Sequence, residues 1–202
     1  MGNEGGGVSL KIQHGAWFVL SFLALQSGLV NLREMGLAEL DWVQGFDQGL
    51  AVAGAFLLIL LVAGWQWRHV DAAAAPSGRH ARPPVETAAP AAAPSGRHAL
   101  LSVETAATQL LWALLWVGGA KLLAAQGLDV RAAQTGGAWL GLALIAVVWL
   151  VNPSRRAAMA EPSGARHQIT HLALALATTV VFILSGNLWL CWALHTAALL
   201  IL

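Results

Sequence analysis

Of 202 residues, 57% are apolar and only 10% are charged, and the mean hydropathy of +0.65 excludes a water-soluble globule in favour of a chain threaded through a membrane. A formal net charge of +1 without a basic cluster excludes a nucleic-acid partner. The single cysteine, Cys191, excludes an intrachain disulfide, a CxxC redox pair and a thiolate metal cage.

In chain order, segment 1–14 is polar and glycine-rich and is expected to be a flexible cytoplasmic amino terminus. Lys11 then precedes an apolar run with no small-residue cleavage site after it, so the first span reads as an uncleaved signal anchor. Gly2 opens no myristoylation signal, because position 6 is glycine where that signal needs Ser or Thr. A helix needs about 20 apolar residues to cross the hydrocarbon core. The stretches 15–32, 49–67, 103–125 and 137–152 meet or approach this length. The last stretch, 168–202, is too long for one span and divides at Ser185-Gly186-Asn187.

The expected fold is therefore an all-α integral membrane protein of six transmembrane helices, or five if the last segment is one long tilted helix or carries a half-embedded tail. Its hairpins, 15–67, 103–152 and 168–202, form a compact bundle, joined by a cytoplasmic linker at 68–102 and a cytoplasmic loop at 153–167. With the amino terminus inside, eight Lys and Arg (Lys11, Arg68, Arg79, Arg82, Arg97, Arg155, Arg156, Arg166) fall on the cytoplasmic side and three (Arg33, Lys121, Arg131) outside, a positive-inside bias. The first outer loop is acidic, with Glu34, Glu39, Asp41 and Asp47. Trp17, Trp65, Trp67 and Trp149 fall near the inner interface and Trp42, Trp139, Trp189 and Trp192 near the outer one, as aromatic belts. Alanine-rich loops point to a GC-rich bacterial gene, and hence to a bacterial-type cytoplasmic (inner) membrane.

The linker contains a tandem duplication: residues 73–89 and 91–107 match at 14 of 17 positions. A spacer that tolerates such an insertion is a poor place for a site, which discounts Arg79, His80, Arg97 and His98. The second copy is expected to enter the third helix, with Ser102 as N-cap and Glu104 in the first turn. Small residues recur at the outer ends of the first, third and fifth helices, at Ser27-Gly28, Gly118-Gly119 and Ser185-Gly186, where backbones can approach closely. The phrase Leu115-Trp116-Val117-Gly118-Gly119-Ala120-Lys121-Leu122 resembles the first-helix pattern of DoxX-type and related small four-helix membrane proteins. It covers eight residues and implies no activity.

Two sets of residues could carry chemistry. Trp112 and Trp116 stand one helical turn apart in the third span; packing explains them most simply, and walls of a ligand cavity are the sharper reading. His195 is an ionisable residue inside the last apolar segment, by default a functional candidate, with Cys191 one turn away as a small buried hydrophobe. Lys121 can snorkel or, paired with Glu34, Asp41 or Asp47, border an outer vestibule for an anion. Asn31 and Gln109 complete a substrate-binding set of Trp112, Trp116, Asn31, Gln109, Lys121 and His195. The second set is His14, His69, His167 and His171, four imidazoles near one cytoplasmic level, which could hold haem b or another metal. Intramembrane proteolysis has no support, since Ser185-Gly186 lacks the GxSG pattern and no acidic pair lies in a span. Phosphate-cradling loops are absent.

The first expectation is thus a small membrane binding or transport module with a pocket inside the bundle and no catalytic motif of its own. The alternative is a b-type haem-binding or anchor subunit of an electron-transfer complex. The expected partners are the lipid bilayer and either other membrane subunits or further copies of the chain.

Overall fold

The computed structural model describes residues 5–38, 46–74 and 94–201. Among these there are seven α-helices and no strand: α1 Gly5–Gln26, α2 Phe46–Ala74, α3 Pro94–Ala125, α4 Val130–Val151, α5 Pro153–Met159, α6 Pro162–Ser185 and α7 Leu188–Ile201. Four stretches are long and apolar enough to cross a membrane: Phe46–Val70, Leu101–Ala125, Val130–Val151 and Pro162–Ser185. The apolar part of α1 and the whole of α7, 14 residues, are shorter. No more than 39% of any of the four windows is buried within the protein, so their outward faces are apolar, with Ile59, Val148 and Val151 more than half exposed. Water would not tolerate that surface; a bilayer does. The chain is a multi-pass helical membrane protein. Residues 75–93, including Arg79 and His80, lie outside the described residues, as do Glu39, Asp41 and Trp42.

Local chemistry explains most of the boundaries. Asp129 caps α4 by accepting from the backbone N–H groups of Arg131 and Ala132 (3.0 Å each), after a turn that passes through Gly127 at φ 88°. The helix ends at Asn152, whose side chain accepts from Ser154 and Arg155 to cap α5, and Pro153 occupies its first turn. The loop expected at 153–167 therefore contains a helix. A second correction concerns α3, which starts at Pro94 and leaves Ser102 inside it rather than at its cap. The second repeat copy is rich in good helix formers, and its proline suits a helix start. The expected break near 186 is present: Gly186 ends α6 at φ 59°, and the Asn187 side chain accepts from Leu190 N–H (3.2 Å) at the start of α7.

The interior is built on two contacts. At the first, α3 and α4 approach so closely that a Cβ at Gly137 would strike the Ala120 backbone, one at Gly119 would lie 2.7 Å from Gly137 O, and one at Gly141 would lie 2.6 Å from the Trp116 ring. At the second, α6 packs against α2, α4 and α7 through Ala175, Ala177, Thr178 and Val181, all fully buried. Cys191 on α7 joins this layer, donating from Sγ to Thr178 O (3.3 Å). The short stretch after α1 folds over the α6–α7 turn, with Leu188 N–H donating to Gly36 O (3.1 Å) and Trp189 Nε1 to Leu37 O (3.2 Å). Trp65 and Trp189 are exposed near helix ends, as interfacial indoles should be, whereas Trp139, expected in the outer belt, is exposed midway along α4 because that helix starts at Val130. Trp192 departs from its expected outer belt: it is half-buried, and its Nε1 donates to Ser102 O on α3 (3.3 Å).

Close α3–α4 packing predicts an asymmetric response to side-chain additions. Gly137→Val should cost about 2 kcal/mol by forcing the two helices apart, whereas a Cβ at Gly118 meets nothing within 4 Å, so Gly118→Ala should be neutral or mildly stabilising. The fraction remaining monodisperse by size exclusion after heating in detergent reads both.

Candidate functional site

The C-terminal ends of α2 and α4 meet the N-terminal ends of α3 and α6 around a cavity of about 820 Å³. Among the described residues, Arg68, Arg155, Arg166 and the carboxylate of Glu104 line it. The Asn152-Pro153 break turns the chain so that Arg155 lies over the Trp149 ring, 4.3 Å from its centre. Half-buried there, the Arg155 guanidinium has its pKa drawn below the ordinary arginine value by desolvation. Trp17, Trp67, Trp112 and Trp149 form aromatic walls. Thr105 and Thr108 spend their hydroxyl protons on the α3 carbonyls of Leu101 and Glu104.

Three imidazoles lead inward from the mouth. His167 is exposed, His171 lies against it edge-on with ring centres 4.4 Å apart, and His195 is 6.1 Å beyond His171. His195 is 1% exposed and stacks on Trp112 with centres 5.2 Å apart and planes 19° from parallel. Gln109, equally buried, donates from Nε2 to His195 Nδ1 (2.7 Å), which leaves the His195 proton on Nε2. Gln109 Oε1 then has no partner. Turning the amide over would only orphan the nitrogen instead, so this group always retains an unused polar end.

A second cavity of about 760 Å³ lies at the other end of the same helices, bordered by Arg33, Lys121, Arg131 and Glu34 and reaching inward to Trp116 and Phe182. Lys121 pairs with Glu34 (2.9 Å) and donates to Leu29 O (2.6 Å). Trp116 packs against Phe182, ring centres 4.7 Å apart, and its buried Nε1 has no partner.

The structure thus distributes the residues singled out in the sequence between two ends. Trp112, Gln109 and His195 come together; Trp116 and Lys121 border the other cavity. Asn31 is exposed in the stretch after α1, where its side chain accepts from Glu34 N–H (2.8 Å). From the histidine set, His171 and His167 join His195 in the first cavity, while His69 rests edge-on against Trp65 at 4.3 Å. His14 is on α1, and its side chain lies outside the described residues. Among the described residues no three His, Cys, Asp or Glu side chains are placed to hold a metal ion. Sequence reasoning missed the wall and mouth contributed by Trp149, Arg155, Arg68 and Arg166, which it used only to orient the chain. Their available signal was the helix break at Asn152-Pro153, which folds Arg155 back toward Trp149.

The chain matches no family model, no curated protein and no solved structure.

The Gln109–His195 bond joins α3 to α7 within the bundle, so its two ends should be energetically coupled. A double-mutant cycle of Gln109→Leu and His195→Phe, read by reversible unfolding in detergent, should give a coupling of about 1 kcal/mol; strictly additive effects would mean that the bond contributes nothing.

Proposed function

We propose that the protein is a small binding or transport module of a bacterial-type cytoplasmic membrane, with six helices in the bilayer and its amino terminus in the cytoplasm. Its ligand carries negative charge and occupies the cavity beneath Arg68, Arg155 and Arg166. The observation that carries this reading is the combination of a cationic mouth with a neutral, polar, aromatic-walled interior ending at Trp112, Gln109 and His195. An anion entering there exchanges hydration for guanidinium contacts first and for a histidine Nε2–H deeper in. Orientation follows from charge. Arg68, Arg155, Arg156 and Arg166 belong to the end holding this cavity and Arg33, Lys121 and Arg131 to the other, where Glu34, Asp47 and Asp129 also lie, and with Lys11 on the amino-terminal side this bias supports a cytoplasmic opening.

Haem is the second reading, and one contact favours it: His171 and His195 come from different helices with ring centres 6.1 Å apart.

Native mass spectra and absorption spectra of the detergent-purified chain separate the two. A small anionic adduct is expected on the wild type, lost in Trp112→Ala and His195→Ala and retained in His69→Ala. A Soret band with α and β bands on reduction would replace this reading with the haem one. A bare polypeptide mass with no chromophore would sink both.

A further inference from the structure

His167, His171 and His195 run from the surface of the bundle to its interior, the first exposed, the second half-buried and the third 1% exposed. Their ring centres are 4.4 Å apart at the first step and 6.1 Å at the second. A neutral imidazole carries a proton on one nitrogen and a lone pair on the other, so a row of such rings can take a proton in at one end and pass one on at the other. The first step is within direct reach, and one water molecule can span the second in the cavity that all three line. Trp149 packs edge-on to His171 at 5.9 Å and Trp112 lies flat against His195, which holds the row in place.

At the inner end stands a partner that suits more than one protonation state. Gln109 can present its amide to His195 either way round, and the 2.7 Å contact survives the turn. With Nε2 toward the ring it donates to a bare Nδ1; with Oε1 toward the ring it accepts from Nδ1–H. In the second arrangement the bare nitrogen of His195 is Nε2, on the edge that Gln109 does not hold. A proton passing from His171 to that nitrogen breaks one N–H and forms another, and water at exposed His167 replaces the proton given up. His195 then carries N–H on both nitrogens, one accepted by Gln109 Oε1 and one open to a ligand. That oxygen, on a side chain 1% exposed, has no donor in the structure as it stands. The nearby hydroxyls of Thr178 and Thr179 are spent on carbonyls of their own helix, so Gln109 alone keeps this capacity in reserve.

A charged ring at this depth is costly by itself, so something must balance it. The titratable groups facing His195 are His171 on α6 and, one turn back on α7, Cys191, whose Sγ–H is given to Thr178 O. Farther out, the same cavity is lined by Arg68 of α2, Glu104 of α3, Arg155 of α5 and Arg166 and His167 of α6. An anion resting on His195 Nε2–H makes the pair neutral overall and removes most of that cost. We infer that the cavity takes up one proton with each anion, carried inward along His167 and His171 and held on His195, with Gln109 Oε1 as the acceptor that the charged imidazole requires. The inference rests on the binding reading above and adds to it the proton, its path and its seat. Anion and proton enter together, and they leave together.

Benzoate, fully ionised at neutral pH and flat enough to lie against indoles, is the probe. Full-length protein in detergent is titrated with it calorimetrically in buffers of different ionisation enthalpy, and the slope of observed heat against that enthalpy counts the protons taken up. The wild type should give about one proton per benzoate bound. His195→Phe keeps the stack on Trp112 and Gln109→Leu keeps the volume beside it; both should bind benzoate more weakly with a slope near zero. His171→Phe, which keeps the packing against Trp149, should retain the slope but slow uptake about a hundredfold when a pH indicator follows it by stopped flow. Benzoate binding to the wild type without proton uptake, or a full slope in His195→Phe, would overturn the inference and leave the binding reading standing. Failure to bind benzoate at all would overturn it as well, while an anionic adduct in native mass spectra would still uphold the binding reading.

Discussion

The approach of α4 to α3 leaves no space for a Cβ at Gly137 or Gly141, and the centre of the bundle is arranged around that restriction. In lipid there is no hydrophobic drive between helices, so association relies on surfaces that fit closely enough for dispersion and backbone contact to accumulate. Glycines on α4 supply such a surface. By receding at Gly141 they also let the Trp116 ring lie against the neighbouring backbone instead of being expelled toward the lipid. From Trp116 the order propagates to Phe182 on α6, and one turn back along α3 to Trp112 and its stack on His195 of α7.

Polar groups inside the bundle divide into those the helices satisfy themselves and those they do not. Thr178 and Thr179 return their hydroxyl protons to carbonyls of α6 itself, which costs nothing in specificity and makes them structural neighbours of alanine. Gln109 and Trp116 have no such local outlet, because an amide and an indole reach away from their own backbone. Where satisfaction, patterning and packing agree, a site is structural; where one of them fails without compensation, function is the usual reason. Among the described residues such failures occur at Ser21, Gln109, Trp116 and Thr196, and the two on α3 stand about two turns apart.

Hydropathy made the helical membrane character legible, since four apolar stretches of the right length need no partner to be recognised. The division at Gly186 was legible too, because glycine and asparagine have local roles at helix ends. The start of α3 was not: Ser102 is a good N-cap residue in isolation, yet upstream helix propensity and Pro94 carried the helix past it. The candidate site was readable residue by residue but not as an assembly. His195 and Gln109 stood out as polar groups within apolar runs, while His171 was grouped with histidines at the same membrane depth. Depth along a helix can be counted from sequence, but rotation about its axis and the choice of neighbour depend on packing between segments. That is why His171 meets His195 whereas His69 turns to Trp65.

The docking of the stretch after α1 onto the α6–α7 turn bears on how the protein is made. Gly36 O receives the Leu188 N–H, and Trp189 reaches Leu37, so two partners at opposite ends of the chain must meet. Synthesis delivers the first helix long before the last. Until α7 emerges, that early segment lacks its seat, and Gln109 lacks the imidazole that engages it. A helix of 14 residues thus completes contacts whose other halves, on the stretch after α1 and on α3, are synthesised well before it.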